Sequence, residues 1–212
     1  MTALPDRPRI AIVKLSALGD VIHALPVARA LRRHLPGAWV SWIVEARELA
    51  LIRDHPDIDR ALPVDTRRWR RLLWRPAGAR EVWGKVLRLH ARARASRFDV
   101  TIDLQGVLKS GLLTGYTGAP LRIGFARTHC RDLSWLFTNR HVTPPPDAVH
   151  VVDQYLSLLA PLGVPRTAPE FEIPRRPVAD RAIGDFLGER GFKSSDRIVA
   201  LSTGSQSSGV LT

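Results

Sequence analysis

Apolar residues along the chain fall into short unbroken runs, separated by longer stretches in which they return every three or four positions. Ile10-Ala11-Ile12-Val13 is such a run, the pattern of a strand buried on both faces. Leu25, Ala28, Leu31 and Leu35 then share one face of a helix, predicted to start in earnest near Pro26, since proline fits a first turn, and to end at Pro36-Gly37. Trp39 to Val44 is rich in β-formers and predicts a second strand; Glu45 to Asp54 predicts a short helix before Pro56. Arg60 to Val64 is a marginal strand, demoted by Pro63. Glu81 to Ala95 predicts an amphipathic helix, with Val82, Val86 and Leu89 on one stripe and Lys85, Arg88 and Arg92 off it. Phe98 to Asp103 is the next strand, and Gln105-Gly106 turns into a helix containing Lys109, Leu112 and Leu113. Arg122 to Phe125 is a further strand, Pro144-Pro145-Pro146 breaks the chain, and Val149 to Leu162 returns to helix.

Strands alternating with helices are the mark of βαβ units and a parallel sheet. Pro161 through Pro177 holds five prolines, the composition of a semi-rigid connection. Beyond it, Val178 to Arg190 predicts a helix with Ile183, Phe186 and Leu187 on its apolar face. Arg197 to Leu201 predicts a buried strand that opens into Ser202-Thr203-Gly204. The expected organisation is one complete α/β domain over residues 1–177, its proline-rich linker included, and the opening of a second domain over 178–212.

In open α/β sheets ligands bind at the carboxyl ends of the strands. Lys14-Leu15-Ser16-Ala17-Leu18-Gly19-Asp20 falls at such an end, bringing a cation, a hydroxyl, a glycine and a carboxylate into one loop. Gly19 is able to take backbone angles closed to other residues. Asp20 has two readings, a helix N-cap and a catalytic base, and the loop alone does not choose between them.

The net charge of +12 points to an anionic partner, and the basic set is mostly arginine, which suits bidentate recognition of phosphate or carboxylate. Its densest patch is Arg67-Arg68-Trp69-Arg70-Arg71. Cys130 stands alone, so an intrachain disulfide or a cysteine-rich metal site is excluded. The first nine residues hold no apolar signal core, and no apolar run approaches the roughly 20 residues that span a bilayer. Asp103, Gln105 and Lys109 form a second polar cluster at a strand end, placed to converge with Lys14, Ser16 and Asp20 on one cleft. A glycine-rich dinucleotide fingerprint, a Walker loop and a nucleophile elbow around Ser16 are absent from the sequence. The histidines show no metal-ligand spacing; His23, His34 and His90 read as packing or surface residues.

Val13 to Pro26 resembles the N-terminal signature of the lipopolysaccharide heptosyltransferase I type, in glycosyltransferase family 9, which uses ADP-heptose. Trp42-Ile43-Val44-Glu45, Arg67-Arg68-Trp69-Arg70, Asp103 to Ser110 and Phe137-Thr138-Asn139-Arg140 resemble later family segments, in order and at sensible spacing. The resemblance implies the N-terminal half of a GT-B glycosyltransferase: a Rossmann-like parallel sheet flanked by helices that holds the acceptor, Kdo-lipid A. The missing half would hold ADP-heptose. It implies an inverting, metal-independent reaction without a cofactor, at the cytoplasmic face of the inner membrane, with the protein peripheral to it. Asp20 falls on the family's catalytic aspartate, with Lys14 near the reacting groups. Ser16, Gly19, Arg67, Arg68, Arg70, Arg71, Gln105, Lys109 and Arg140 fall on the acceptor side. Arg71 stands where the family often has lysine. The tail Ser202–Thr212 departs from the family pattern, which leads to the expectation of a truncated chain with little or no transfer activity of its own. Two other readings are a fragment that only captures anionic glycolipid and, from charge and the tryptophans Trp69 and Trp74 among arginines, a nucleic-acid binder.

Overall fold

A computed structural model describes residues 4–68, 78–174, 177–193 and 195–199. The chain divides into two compact units, Met1–Pro174 and Arg175–Thr212.

The first unit is built on six strands: β1 (Arg9–Val13), β2 (Trp39–Glu45), β3 (Arg60–Val64), β4 (Val100–Asp103), β5 (Leu121–Phe125) and β6 (Arg140–Val142). They lie in the order β3-β2-β1-β4-β5-β6, every pair parallel. This is the doubly wound order in which the chain reverses direction across the sheet between β1 and β4, and a crevice opens there at the carboxyl edge. The helices of this unit are α1 (Leu18–His34), α2 (Leu49–Ile52), α3 (Gly78–Ala95), α4 (Leu108–Thr117) and α5 (Val151–Ser157). Short 3-10 turns cover Arg127–His129, Leu133–Phe137 and Ala160–Leu162.

The unbroken apolar runs are explained by two cores. Ile10, Ile12, Val40, Trp42, Val100 and Ile102 point to one face and pack with Val21, Leu25, Ala28 and Leu31 of α1 and Val152, Tyr155 and Leu156 of α5. The alternate residues Ala11, Val13, Ile43, Leu62 and Val64 point to the other, with Ala93, Phe98 and Leu113. The period-2 alternation of the central strands β1, β2 and β4 therefore buries both of their faces. The stripe expected from Val82, Val86 and Leu89 falls on side chains outside those described.

Several expectations need correction. Helix α1 begins at Leu18, eight residues before Pro26, which lies buried inside it. Proline there forgoes one i→i−4 bond, a loss of about 3 kcal/mol. Burial of Val21, Leu25, Val27 and Leu31, at roughly 1.5–3 kcal/mol each, outweighs it. Strand β2 runs on through Glu45, so the helix expected from there shrinks to the single turn of α2. Arg60–Val64 is a full strand, and Pro63 is tolerated because β3 is at the sheet edge. Strand β6 has no signal in the apolar pattern, being only three residues of which two are exposed.

In the second unit, α6 (Pro177–Glu189) forms where expected. Its Ile183 and Phe186 are exposed rather than buried, and Arg190 stacks on the Phe186 ring with 3.7 Å from guanidinium to centroid. Residues 197–199 carry no strand; Ala200, Leu201 and Ser202–Thr212 lie outside the described residues. No helix among the described residues is long and apolar enough to cross a membrane.

Candidate functional site

The carboxyl ends of β1 and β4 meet in register, Val13 opposite Asp103. The two polar clusters read from the sequence are thereby brought together. The Gln105 Oε1 atom accepts from the backbone N–H of Leu15 at 3.0 Å and of Ser16 at 3.3 Å, tying the loop after β1 to the loop after β4. Gly106 needs its glycine, since its φ is +67°. Gly19 does not: it lies inside the first turn of α1 without a positive φ, and a Cβ there would meet nothing within 4 Å. The expected conformational role is therefore not what Gly19 performs.

Lys14 follows β1 directly and is almost fully buried. Its Nζ donates to the Tyr155 hydroxyl at 2.6 Å and lies 4.0 Å from Asp20 Oδ2. Burial pulls the Lys14 amine down to about 8, against the pull of Asp20 and Asp103, which raise it, while Arg131 lowers it further. Asp103 is buried as well. Its Oδ1 accepts from the N–H groups of Gln105 and Gly106 at 2.9 and 3.2 Å, and its Oδ2 from the Ser110 hydroxyl at 3.0 Å. Burial nevertheless raises its carboxyl to about 6, because the three hydrogen bonds and the Lys14 charge offset only part of the lost hydration. Between about pH 6 and 8, then, Asp103 is a carboxylate and Lys14 an ammonium, held in a dry setting. Burial, and the Asp20 charge second, push the Tyr155 phenol well above its ordinary value, so it stays a neutral hydroxyl.

Asp20 differs from these neighbours in being half exposed. It sits at the third position of α1, and its Oδ2 accepts from the Ala17 N–H at 3.1 Å. Ala17 has no side chain able to cap, so Asp20 reaches back to do half of a capping-box job. The N-cap reading is thereby corrected: Ala17 holds the cap position, and Asp20 reaches back to it from inside the first turn. One oxygen closes the helix start and faces Lys14, and Oδ1 has no protein hydrogen bond among the described residues.

The remaining residues divide by place. Ser16 is partly exposed at the loop beside Asp20. Lys109, in the first turn of α4, lies 3.9 Å from Oε1 of the buried Glu45, the last residue of β2. Glu45 also accepts from the Thr66 N–H at 3.2 Å and from its hydroxyl. The turn carrying Arg67 and Arg68 is fastened through Thr66 to the same carboxyl edge as Lys109. Both arginines are exposed there, and the Arg68 N–H bonds to Asp65 Oδ1 at 2.9 Å. Arg70 and Arg71 lie outside the described residues, as do Trp69 and Trp74. Arg140 is exposed on the edge strand β6, three strands from β1 and opposite Ile123 rather than at the carboxyl edge. At about 4.8 Å per strand it is roughly 14 Å from the Lys14 cluster and is not brought into it.

Sequence reasoning did not single out Tyr155, and it placed Glu45 in a segment resembling the family's and at the start of a predicted helix without giving it a role. Tyr155 lies 141 residues from Lys14 and reads locally as one more apolar position of a helix. Glu45 is the single charge ending an apolar strand, the one signal that could have marked it. Among the described residues no group of three or more His, Cys, Asp or Glu is placed to hold a metal ion.

Residues 86–197, more than half of the chain, match the model of glycosyltransferase family 9 (heptosyltransferase). The chain is 33% identical over 175 residues to lipopolysaccharide heptosyltransferase 1 of Pseudomonas aeruginosa, covering 81% of this chain and 48% of that protein. It is 29% identical over 174 residues to the lipopolysaccharide core heptosyltransferase OpsX of Haemophilus influenzae, covering 82% and 46%. The structure of E. coli heptosyltransferase WaaC with ADP-2-deoxy-2-fluoro heptose superposes with a TM-score of 0.67 at 26% identity, over 77% of this chain and 51% of that one. The chain thus spans about half the length of the relatives it matches. The six-stranded parallel sheet is the Rossmann-like α/β fold of these glycosyltransferases. By the match of its sequence and of its fold, the chain belongs to glycosyltransferase family 9, the heptosyltransferases.

Proposed function

We propose that this chain carries the acceptor side of a heptosyl transfer from ADP-heptose to the Kdo-lipid A inner core in lipopolysaccharide core biosynthesis. The observation that carries the reading is the half-exposed Asp20 carboxylate, held 4.0 Å from the buried Lys14 ammonium at the β1–β4 crevice. In the proposed step Asp20 takes the proton of a Kdo hydroxyl as its oxygen bonds to the heptose anomeric carbon. The bond from that carbon to the diphosphate breaks, and ADP leaves with the electron pair. Attack from the face opposite the leaving group inverts the centre. A positioned carboxylate contributes about 10²–10⁴-fold to such a step. No metal or other cofactor has a part in the proposed step.

Lys14 orients Asp20, and Gln105 fixes the loop that bears both. Arg67, Arg68, Arg70 and Arg71 bind the carboxylates and phosphates of the acceptor by charge-assisted bonds. Ser16, Gly19 and Lys109 line its path, and Arg140 engages a more distant anionic group of it. The proposed location is the cytoplasmic face of the inner membrane, peripherally bound. The test is a calorimetric titration of the chain with a soluble, deacylated Kdo-lipid A acceptor and, separately, with ADP-heptose. Acceptor binding that weakens in Arg67→Ala/Arg68→Ala supports the reading; binding of neither sugar, or of the donor alone, overturns it.

A further inference from the structure

Helix α4 packs against the 3-10 turn Leu133–Phe137 along a seam with no room for side chains. A Cβ on Gly111 would lie 2.8 Å from Ser134 Cα, and one on Gly115 3.3 Å from Phe137 Cδ1. The residues beside this seam are leucines. Leu108 and Leu112, one helical turn apart, adjoin Gly111 on α4. In a 3-10 helix residues i and i+3 eclipse, so Leu133 and Leu136 form one ridge next to the ridge of Ser134 and Phe137. The four leucines are 41, 38, 52 and 56% exposed. A run of exposed leucines on both sides of one packed seam is not scattered surface apolarity.

The surroundings are cationic. Residues 104–142 hold Lys109, Arg122, Arg127, Arg131 and Arg140 against the single acid Asp132. Arg127, Arg131 and Arg140 are exposed, and none has an acidic partner within 4.0 Å among the described residues. Arg127 lies over the Trp135 ring at 5.3 Å, beside the leucine ridge. The Arg131 N–H donates to the Gly106 carbonyl at 3.1 Å, which puts this loop at the shoulder of the β1–β4 crevice.

We propose that Leu108, Leu112, Leu133 and Leu136, with Arg127 and Arg131 at their border, are the surface by which this chain rests on an anionic lipid bilayer. The leucines enter the headgroup–acyl boundary and the arginines meet lipid phosphates. A second copy of the chain is the poorer occupant, because two faces of the same positive charge would meet. The inference rests on the reading of a lipid-anchored acceptor for its purpose, since such an acceptor has to be met at the bilayer surface.

The experiment is sedimentation of the chain with vesicles of phosphatidylethanolamine and phosphatidylglycerol, free of any acceptor, and with phosphatidylcholine vesicles. The variants are Leu133→Gln/Leu136→Gln, Leu108→Gln/Leu112→Gln and Arg127→Gln/Arg131→Gln, each checked for an unchanged melting midpoint. The expected result is binding to the anionic vesicles, cut at least about tenfold by either leucine pair and about fivefold per arginine. Absence of vesicle binding overturns the proposal. So does binding that only the arginine pair weakens, which is bulk attraction of a +12 chain. Leucine variants that abolish a dimer on a sizing column while leaving vesicle binding intact assign the surface to a second copy, and also overturn it. The deacylated acceptor titration is independent of the leucines, so failure here and failure of the transfer reading give different results.

Discussion

Lys14 and the pair Arg67–Arg68 are cations near the same sheet edge, in opposite settings. Lys14 is buried, hydrogen-bonded to Tyr155 and flanked by two carboxylates, and its proton affinity is set by the protein around it. Arg67 and Arg68 are exposed, in a turn fastened by the Thr66 N–H and hydroxyl on Glu45 and by the Arg68 N–H on Asp65. A buried charge is part of the fold, and removing it exposes its partners to a dry interior. An exposed charge has little value until a ligand arrives and desolvates it. On the proposed function, the rigid half sets the chemistry and the solvated half captures the acceptor.

Removing the rigid cation should have the largest effect. Lys14→Met leaves Asp103 buried beside one fewer cation and the Tyr155 hydroxyl without its donor. The Asp103 carboxyl should then titrate above about 6, since Lys14 is one of the groups that lower it, and NMR of its side-chain carbon reads the shift. An unmoved titration would show that the buried half is not coupled as described. Asp103 sharpens the same contrast through pH. Its native carboxyl holds a proton up to about 6, above the ordinary value of 3.8, so protonation favours the folded state. The stability of the chain relative to Asp103→Asn should rise as pH falls from about 6 to about 4, by up to about 3 kcal/mol. It should level off below that window. A flat difference across the window would place Asp103 in the solvated class.

Asp20 stands on the border between the halves. In a chimera joining this chain to the part of the Pseudomonas aeruginosa relative that it does not match, Asp20→Asn should lower kcat at least about 10²-fold with little change in the unfolding midpoint. Near-normal turnover with a stability loss of about 0.5–2 kcal/mol in Asp20→Ala would leave only the helix-start role. The smallest effects belong to the arginines. In the same chimera Arg67→Ala and Arg68→Ala should each raise acceptor KM about two- to fivefold, leaving donor KM and stability unchanged. A fall in thermal stability would mean that these side chains belong to the fold after all.

The sequence made the central strands legible because each is a short apolar run with both faces buried, and the loops after β1 and β4 because polar residues follow such runs abruptly. It concealed the start of α1. Pro26 is a start signal by local rules, and only the packing of Val21, Leu25 and Leu31 on the sheet overrides it. The convergence of Lys14 with Gln105 followed from strand parallelism, whereas the bond to Tyr155 did not, since nothing within a window of neighbours specifies which helix returns to cover β1. Arg140 shows the complementary limit: a segment in the right order along the chain is placed on the edge strand of the sheet, away from the Lys14 cluster.

The same distances along the chain bear on how the domain folds. Strand β1 pairs with β4 across about 90 intervening residues, as Ile10 with Val100, and Lys14 finds Tyr155 over a span of 141. Such non-local closures have to be made before they are rewarded, which places a parallel sheet of this kind among slow folders, with times of milliseconds to seconds. No peptide cut from Lys14 to Asp20 would hold an amine that titrates near 8, because desolvation comes from strands and a helix far away in sequence. The reactivity of the Lys14 amine toward an acylating reagent near neutral pH is therefore a clock for completion of the domain. It should change only when the most distant contact closes, later than the helical signal that the local segments produce on their own.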